Sequence, residues 1–582
     1  MASGPEPPAE PDLALYRALV AERAGQAAGR RKALGAFATP WPLAQRMVRR
    51  AYAGRLGAGR PLPRLLDPAC GAGVFLLAAF RELSRLRPDR PATELLRSLH
   101  GVDVDPRAVH AARRVLLAAA GEHERARRRR PPACARPATA GRSPTAALPS
   151  RPSHSASAAL HVHCGDALRD DSPTLFDLVV GNPPWVSLAG KHRSRSRSSA
   201  ADRRLAARLG GDSYRPNLFE LFITATLARL KPGGRQVFLV PDRLARNRQF
   251  AGLRRRLAGE LRLRWIEFGL AFPGVSADAM AFGVERSVPG PRAVTRLSED
   301  GESVLVPQSS LLEQDGCPFR FVRHPARARL VERLLAWPVR LGDVLTSHTG
   351  FIARRGALAP EDGDPAAPAT KTDRGSTARR ALAPERGHQA ALKGTHVRAF
   401  AVVGETRLGD APGARVGGTL DIALLGAREK ALVPKTGLDL RAARDRSARW
   451  PEQSLYFLLG EARLLAVAVG LLNSRLARML YEEALVTNRR SLPHIKKLDL
   501  DAFPWPRGQA HAREIERAVR TCERGSASLA RGSRTPGREG RQGAGTAAAG
   551  RGVAARVALD RAVEAAFGLT RAERALLRQE PP

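Results

Sequence analysis

Residues 64–86 read RLLDPACGAGVFLLAAFRELSRL: a short apolar run, a turn, then an amphipathic stretch with helical spacing. Arg64-Leu65-Leu66 reads as a strand and Val74–Leu86 as the helix after it. Gly71 and Gly73 between them allow a tight turn and a close approach of backbone to a ligand. The spacing is G-x-G, short of the G-x-G-x-x-G of a dinucleotide pyrophosphate site. Alone, the turn would suit any nucleotide-like ligand, or would merely join strand to helix.

The same alternation continues on the C-terminal side. SLHGVDVDP (98–106) is a second strand, followed by the helical RAVHAARRVLLAAAG (107–121). HVHCGDAL (161–168), FDLVVGNPP (176–184) and RQVFLVPD (235–242) are further strands, with the helix LFELFITATLARL (218–230) before the last. Lys231-Pro232-Gly233-Gly234 reads as the stop of that helix. Strands alternating with helices imply an α/β fold with a parallel, doubly wound sheet. Ligands of such sheets bind beyond the carboxyl ends of the strands, and the polar motifs sit there. Asp103 ends the second strand, where an acid can accept from both hydroxyls of a ribose. Asp105 reads instead as the cap of the next helix, with Pro106 in its first position. Asp166, in Cys164-Gly165-Asp166, is placed to accept from an adenine amino group.

The stretch Gly181-Asn182-Pro183-Pro184-Trp185 carries the chemistry. The Asn182 side-chain carbonyl and the Pro183 backbone carbonyl can both accept from one amino group, and proline holds its carbonyl rigidly. Trp185 offers a flat face on which a planar base can stack. No protein nucleophile is apparent. Cys317-Pro318 has the reverse of the Pro-Cys order that cytosine C5 methylation uses.

At 582 residues the chain is long enough for two folded units and linkers, and 43% hydrophobic content suffices for a sizeable core. The formal charge of +40 points to a polyanionic partner. A compositional bias toward Arg, Ala, Gly and Pro accounts for part of it. The five cysteines (Cys70, Cys134, Cys164, Cys317, Cys522) form no C-x-x-C pair, which argues against a disulfide framework or a zinc site. No membrane span or signal peptide is read, so a cytoplasmic location is expected. Residues 125–157, 191–208 and 524–552 read as basic or Gly-rich insertions and linkers.

These motifs resemble the amino-methyltransferases, which share DPACG-G and NPP-aromatic elements. Upstream, Gly35-Ala36-Phe37-Ala38-Thr39-Pro40 is similar to the F-x-T-P element of N6-adenine DNA methyltransferases. That element lies over the methionine end of the cofactor in the family. Its place before DPACG, with a long C-terminal region after NPPW, matches the gamma arrangement. Ala38 stands where many members have Tyr, and Trp185 where Tyr is commoner. Phe272, in Phe272-Pro273-Gly274-Val275-Ser276, corresponds to the second aromatic wall of the flipped base.

The resemblance implies a Rossmann-like class I methyltransferase domain that uses S-adenosyl-L-methionine. Phe37, Thr39, Pro40, Asp67, Ala69, Gly71, Gly73, Asp103 and Asp166 would bind the cofactor, and Asn182, Pro183, Trp185 and Phe272 would act on the base. No metal is implied. Leu341–Leu345, Thr349-Gly350-Phe351, Leu392-Lys393-Gly394, Val486–Ile495 and Phe503–Pro506 resemble the mixed α+β target-recognition domain of Taq-like enzymes. There Asn488, Arg489, Arg490, Lys496 and Lys497 are candidate contacts to double-stranded DNA, with His494 a packed or capping residue. The expected division is a segment 1–30, a catalytic domain 31–316, a recognition domain 317–510 and a linker with helical tail 511–582. An rRNA base or a protein glutamine amide would meet the same NPP-aromatic chemistry. A restriction endonuclease on a separate chain is a candidate partner; nothing sets the recognition sequence or the oligomeric state.

Overall fold

The computed structural model describes residues 14–18, 21, 39–57, 60–129, 154–170, 172–186, 207, 217–270, 278–314, 316–354, 357–358, 389–409, 415–486, 493–532 and 542–578. The chain divides into two compact units, Met1–Phe321 and Val322–Pro582.

The first unit is built on a nine-stranded sheet of order β3-β2-β1-β4-β5-β7-β6-β8-β9. Its strands are β1 (Leu65–Asp67), β2 (Leu99–Asp103), β3 (His161–Cys164), β4 (Phe176–Gly181), β5 (Leu230–Pro241), β6 (Arg262–Leu270), β7 (Ala279–Glu285), β8 (Val294–Glu299) and β9 (Glu302–Pro307). The first five pair in parallel, and β7 runs antiparallel between β5 and β6. Helices α1 (Trp41–Tyr52), α2 (Val74–Leu86), α3 (Ala92–Arg97), α4 (Pro106–Arg128), α5 (Leu218–Ala228) and α6 (Ala251–Gly259) accompany it.

Both faces of the sheet are covered, which explains why its strands read as unbroken apolar runs. Leu65, Leu178, Val180, Val237 and Leu239 enter one core cluster. Their neighbours Leu66, Val179, Phe238 and Val240 enter another. Side chains that alternate along a strand therefore divide between two buried layers. The Lys231–Gly234 segment differs from its expected role as a plain helix stop. It lies inside β5 as an irregularity, where the partner of Phe176 is Leu230 and that of Leu178 is Arg235. Gly234 is required there, because a Cβ would meet the Lys231 carbonyl at 2.9 Å.

From β1 the chain winds outward to β2 and β3, then returns to β4 on the other side of β1. The winding reverses between β1 and β4, and the carboxyl ends of that pair border the crevice where such folds place ligands.

The second unit holds a four-stranded antiparallel sheet. With β10 (Thr346–Thr349), β11 (Lys430–Pro434), β12 (Ala443–Asp445) and β13 (Leu455–Leu459), its order is β10-β13-β11-β12. Ala431, Val433, Tyr456 and Leu458 face a helical core, while Leu432, Leu455 and Phe457 face a smaller one formed with neighbouring short strands. The helical side includes α7 (Pro325–Leu335), α8 (Ala462–Leu472), α9 (Arg475–Leu480), α10 (Lys497–Asp501), α11 (Gln509–Gly532), α12 (Gln542–Ala566) and α13 (Arg571–Arg578).

Residues 511–582, expected as linker and tail, contribute Ile515, Val519, Cys522, Leu559, Val563 and Phe567 to that core. Helices cover the expected 524–552 linker except for 533–541, which lies outside the described residues. The cause is tertiary: an Ala- and Arg-rich helix with a thin apolar stripe is stabilised mainly by the face it buries. The insertions at 125–157 and 191–208 lie mostly outside the described residues.

Gly470 lets α8 approach both α11 and α12. A Cβ there would meet Ile515 Cγ2 at 2.6 Å, Val519 Cγ2 at 2.7 Å and Leu559 Cδ1 at 3.1 Å. Gly470→Val is expected to destabilise this unit by about 1–3 kcal/mol through overpacking. A urea melt of the variant with an unchanged midpoint would contradict the packing. Among the described residues no single helix is long and apolar enough to cross a membrane. The bent pair Ala462–Leu472 and Arg475–Leu485 passes only when combined, and its apolar residues lie in this core.

Candidate active site

The turn after β1 is held from several sides. Gly71 and Gly73 adopt φ of 53° and 86°, in the left-handed region that glycine enters without penalty. Gly73 caps α2, and a Cβ on it would strike Ala112 of α4 at 2.9 Å. Among the described residues no atom lies within 4 Å of the Cβ position of Gly71.

Asp103, at the end of β2, accepts from the Gly71 N–H at 2.8 Å and from the Asp105 N–H at 2.9 Å. The carboxyl group therefore braces the glycine turn. Asp105 caps α4 by accepting from Arg107 N at 3.0 Å, with Pro106 at the helix start as expected.

Asp67 is fully buried; its Oδ1 accepts from Ala69 N at 3.2 Å, and its Oδ2 has no hydrogen-bond partner among the described residues. Burial pushes this carboxyl well above the usual carboxylate range. The Ala69 N–H opposes that rise and repulsion from Asp103 adds to it. Gly181 at the end of β4 lies against it, since a Cβ would sit 2.9 Å from Asp67 Oδ1. Asp166 forms a local turn, accepting from Leu168 N at 3.1 Å and pairing with Arg169 at 3.3 Å.

Beyond β4, Asn182 is half-buried and Pro183 buried. The Asn182 Nδ2 donates to Thr39 Oγ1 at 3.2 Å across 143 residues of sequence. Thr39 itself is 4% exposed. Trp185 is half-buried and packs against the core cluster on one side of the sheet. Val186 O accepts from Leu218 N at 2.9 Å, joining this segment to the start of α5. Asn217 caps α5, and its Oδ1 accepts from Arg243 Nη2 at 2.8 Å. Burial lowers the pKa of Arg243.

The structure thus brings Thr39, Asp67, Gly71, Gly73, Asp103 and the Asn182–Trp185 segment to the carboxyl edge of the β2-β1-β4 strands. Phe37, Phe272, Asn488, Arg489 and Arg490 lie outside the described residues. Lys496 and Lys497 begin α10, where Lys497 pairs with Asp501 at 2.7 Å. His494 forms a β-bridge with Thr436.

Sequence reasoning missed Asp242, at the end of β5. Burial raises its carboxyl to about 6, and repulsion from Asp278 adds to this; Arg246 and Arg243 oppose it. The folded protein holds this proton up to about pH 6, whereas the unfolded chain releases it near 3.8. The group therefore favours folding below pH 4, and that contribution is lost as pH rises through 6. Asp242→Asn is expected to stabilise the protein at pH 7.5 by about 1–3 kcal/mol, with the gain vanishing toward pH 4. Thermal melts across that range check it; a gain independent of pH would refute it.

Comparison with known proteins bears on this geometry. Residues 97–269 match the Eco57I restriction-modification methylase domain, and 390–505 match the TaqI-like C-terminal specificity domain. These two domain matches, together with a relative described as an adenine-specific methyltransferase, support an N6-adenine methyltransferase family. A segment of 65 residues is 45% identical to the adenine-specific methyltransferase PglX of Streptomyces coelicolor. That segment is 10% of this chain and 5% of that protein. The Type IIL restriction-modification enzyme MmeI, solved in complex with DNA, has a similar fold. The likeness covers 97% of this chain and 76% of MmeI, at 12% identity and a TM-score of 0.53. The ATP-dependent Type ISP enzyme LlaBIII, bound to DNA, matches 84% of this chain and 39% of its own, at 10% identity and a TM-score of 0.50.

Family and fold assign S-adenosyl-L-methionine as the cofactor. The residues fit it: a glycine turn whose Gly71 Cβ position meets no described atom within 4 Å, an acid at the end of β2, and a buried carboxyl, Asp67, one oxygen of which has no hydrogen-bond partner among the described residues.

Proposed function

We propose that this chain transfers a methyl group from S-adenosyl-L-methionine to the N6 amino group of adenine in double-stranded DNA. The observation that carries the reading is the Asn182 carboxamide, held by Thr39 at the switch-point end of β4 beside the glycine turn. Phe37, Thr39, Pro40, Asp67, Ala69, Gly71, Gly73, Asp103 and Asp166 are the proposed cofactor residues. Asn182, Pro183, Trp185 and Phe272 are proposed to grip the base.

An adenine in a duplex reaches such a site only when extruded from the stack. Asn182 Oδ1 and the Pro183 carbonyl would then accept its two N–H bonds, while Trp185 stacks on the ring. Accepting both bonds draws the nitrogen toward sp³ character and aims its lone pair. Orientation of that kind supplies much of the rate in reactions that need no covalent protein intermediate. The cofactor, when bound, supplies a methyl group already activated on a positively charged sulfur.

The specificity-domain match in 390–505 favours DNA over rRNA or a glutamine amide. The +40 charge agrees with it. Asn488, Arg489, Arg490, Lys496 and Lys497 are proposed DNA contacts. A restriction-modification role, with the nuclease on a separate chain in the cytoplasm, follows from the same reading. Radiolabelled methyl transfer to duplex DNA, rRNA and a release-factor-like protein tests it. Label on DNA, released as N6-methyladenine, is expected; label on either of the others alone would overturn it.

A further inference from the structure

We infer that Thr39 is a positioning residue for the methyl acceptor, acting through Asn182, and that this role is separate from any contact it makes to the cofactor. The inference rests on the amino-methyltransferase reading above.

Four observations support it. Asn182 Nδ2 donates to Thr39 Oγ1 at 3.2 Å, so the amide is tied at its nitrogen end. Thr39 is 4% exposed and β-branched, so its side chain has few rotamers to wander among. Its backbone is fixed from behind. Pro40 caps α1 with φ of −58°, and its carbonyl accepts from Leu43 N and Ala44 N at 3.1 and 3.0 Å. Finally α1 is anchored to the sheet, with Leu43, Ala44, Met47 and Val48 in the core and Arg46 and Arg50 paired to Glu267 of β6 at 2.8 and 2.5 Å.

A side-chain amide joined to the backbone by two rotatable bonds gains little rigidity from Pro183 and Pro184, which fix only the main chain. A hydroxyl on a different and well-anchored element supplies the missing restraint. Misplacement by about 1 Å of a group that orients a reacting atom costs on the order of 10²-fold. A hydroxyl can donate as well as accept, so Thr39 alone does not choose which end of the amide it holds. With the nitrogen on Thr39, the oxygen is the end proposed to accept from the base.

The test uses the full chain, radiolabelled cofactor, and whichever of duplex DNA, rRNA or release-factor-like protein the wild type methylates. Thr39→Val, near in volume but without the hydroxyl, is expected to slow single-turnover transfer about 10- to 100-fold. The rate is read at saturating cofactor, with the cofactor Kd measured beside it by calorimetry, so that any loss of affinity through Thr39 is set apart from the loss in transfer; Thr39→Ser should recover most of the rate. Thr39→Val added to Asn182→Ala should cost nothing further, since the two act as one unit. Three results would each overturn the inference. These are a wild-type rate in Thr39→Val, a loss confined to cofactor Kd, or full additivity in the double variant. A wild type that methylates rRNA or protein but not DNA defeats the DNA reading while leaving this comparison measurable. A wild type with no transfer at all removes both.

Discussion

Asn182→Ala is expected to lower methyl transfer to DNA by at least about 10²–10³-fold, the loss typical when one preorganised polar contact to the reacting group is removed. Cofactor affinity should stay within about twofold of wild type. The reasoning is geometric. Asn182 lies beyond the last residue of β4, so no sheet hydrogen bond depends on its side chain. Pro183 and Pro184 keep the turn, and the Val186–Leu218 bond keeps the segment docked on α5. What disappears is the acceptor that faces the amino group. The remaining carbonyl of Pro183 can take one N–H bond but cannot pull the nitrogen out of conjugation by itself. Single-turnover transfer and calorimetry on the same preparation separate the two quantities. Turnover near the wild-type rate, or a parallel loss of cofactor binding, would show that the carboxamide is not the group that grips the base.

Much of this site was legible in the sequence because its parts are local. The turn at Gly71 and Gly73 needs left-handed backbone, and only glycine enters it freely, so the residue type reveals the geometry. Asp105-Pro106 reads as a helix start from two adjacent residues, and Asp105 caps α4. The buried parallel strands showed as unbroken apolar runs because both faces of the sheet are covered.

The illegible features depend on distant partners. Thr39 and Asn182 meet across 143 residues, and nothing in either neighbourhood records the hydrogen bond. The antiparallel insertion of β7 between β5 and β6 is a matter of pairing, to which alternation of apolar residues is blind. The raised carboxyl of Asp242 follows from burial beside Asp278, a property of the fold and not of the Pro241-Asp242 dipeptide. The last helices were obscured by composition. Alanine, arginine and glycine dominate residues 524–552, yet Leu559, Val563 and Phe567 just beyond them bury a continuous face.

Asp103→Ala should weaken cofactor binding by about 10²-fold, with methyl transfer recovering only at high cofactor concentration. A carboxylate offers roughly four lone-pair sites. Two are occupied by Gly71 N and Asp105 N, which fixes the orientation of the group at the mouth of the glycine turn. The strand-end position is proposed to serve the two ribose hydroxyls as well. A hydrogen bond to a charged acceptor contributes about 1.5–3 kcal/mol, so losing a ribose pair corresponds to about 10²-fold or more in Kd. Asp103→Asn discriminates further: its amide nitrogen cannot accept, so one backbone bond and one ribose bond are lost together. Titration of S-adenosyl-L-methionine into each variant, beside a thermal melt, reads both effects. A Kd within threefold of wild type in the alanine variant would show that Asp103 serves only to brace the turn, and the ribose would then have to be held elsewhere.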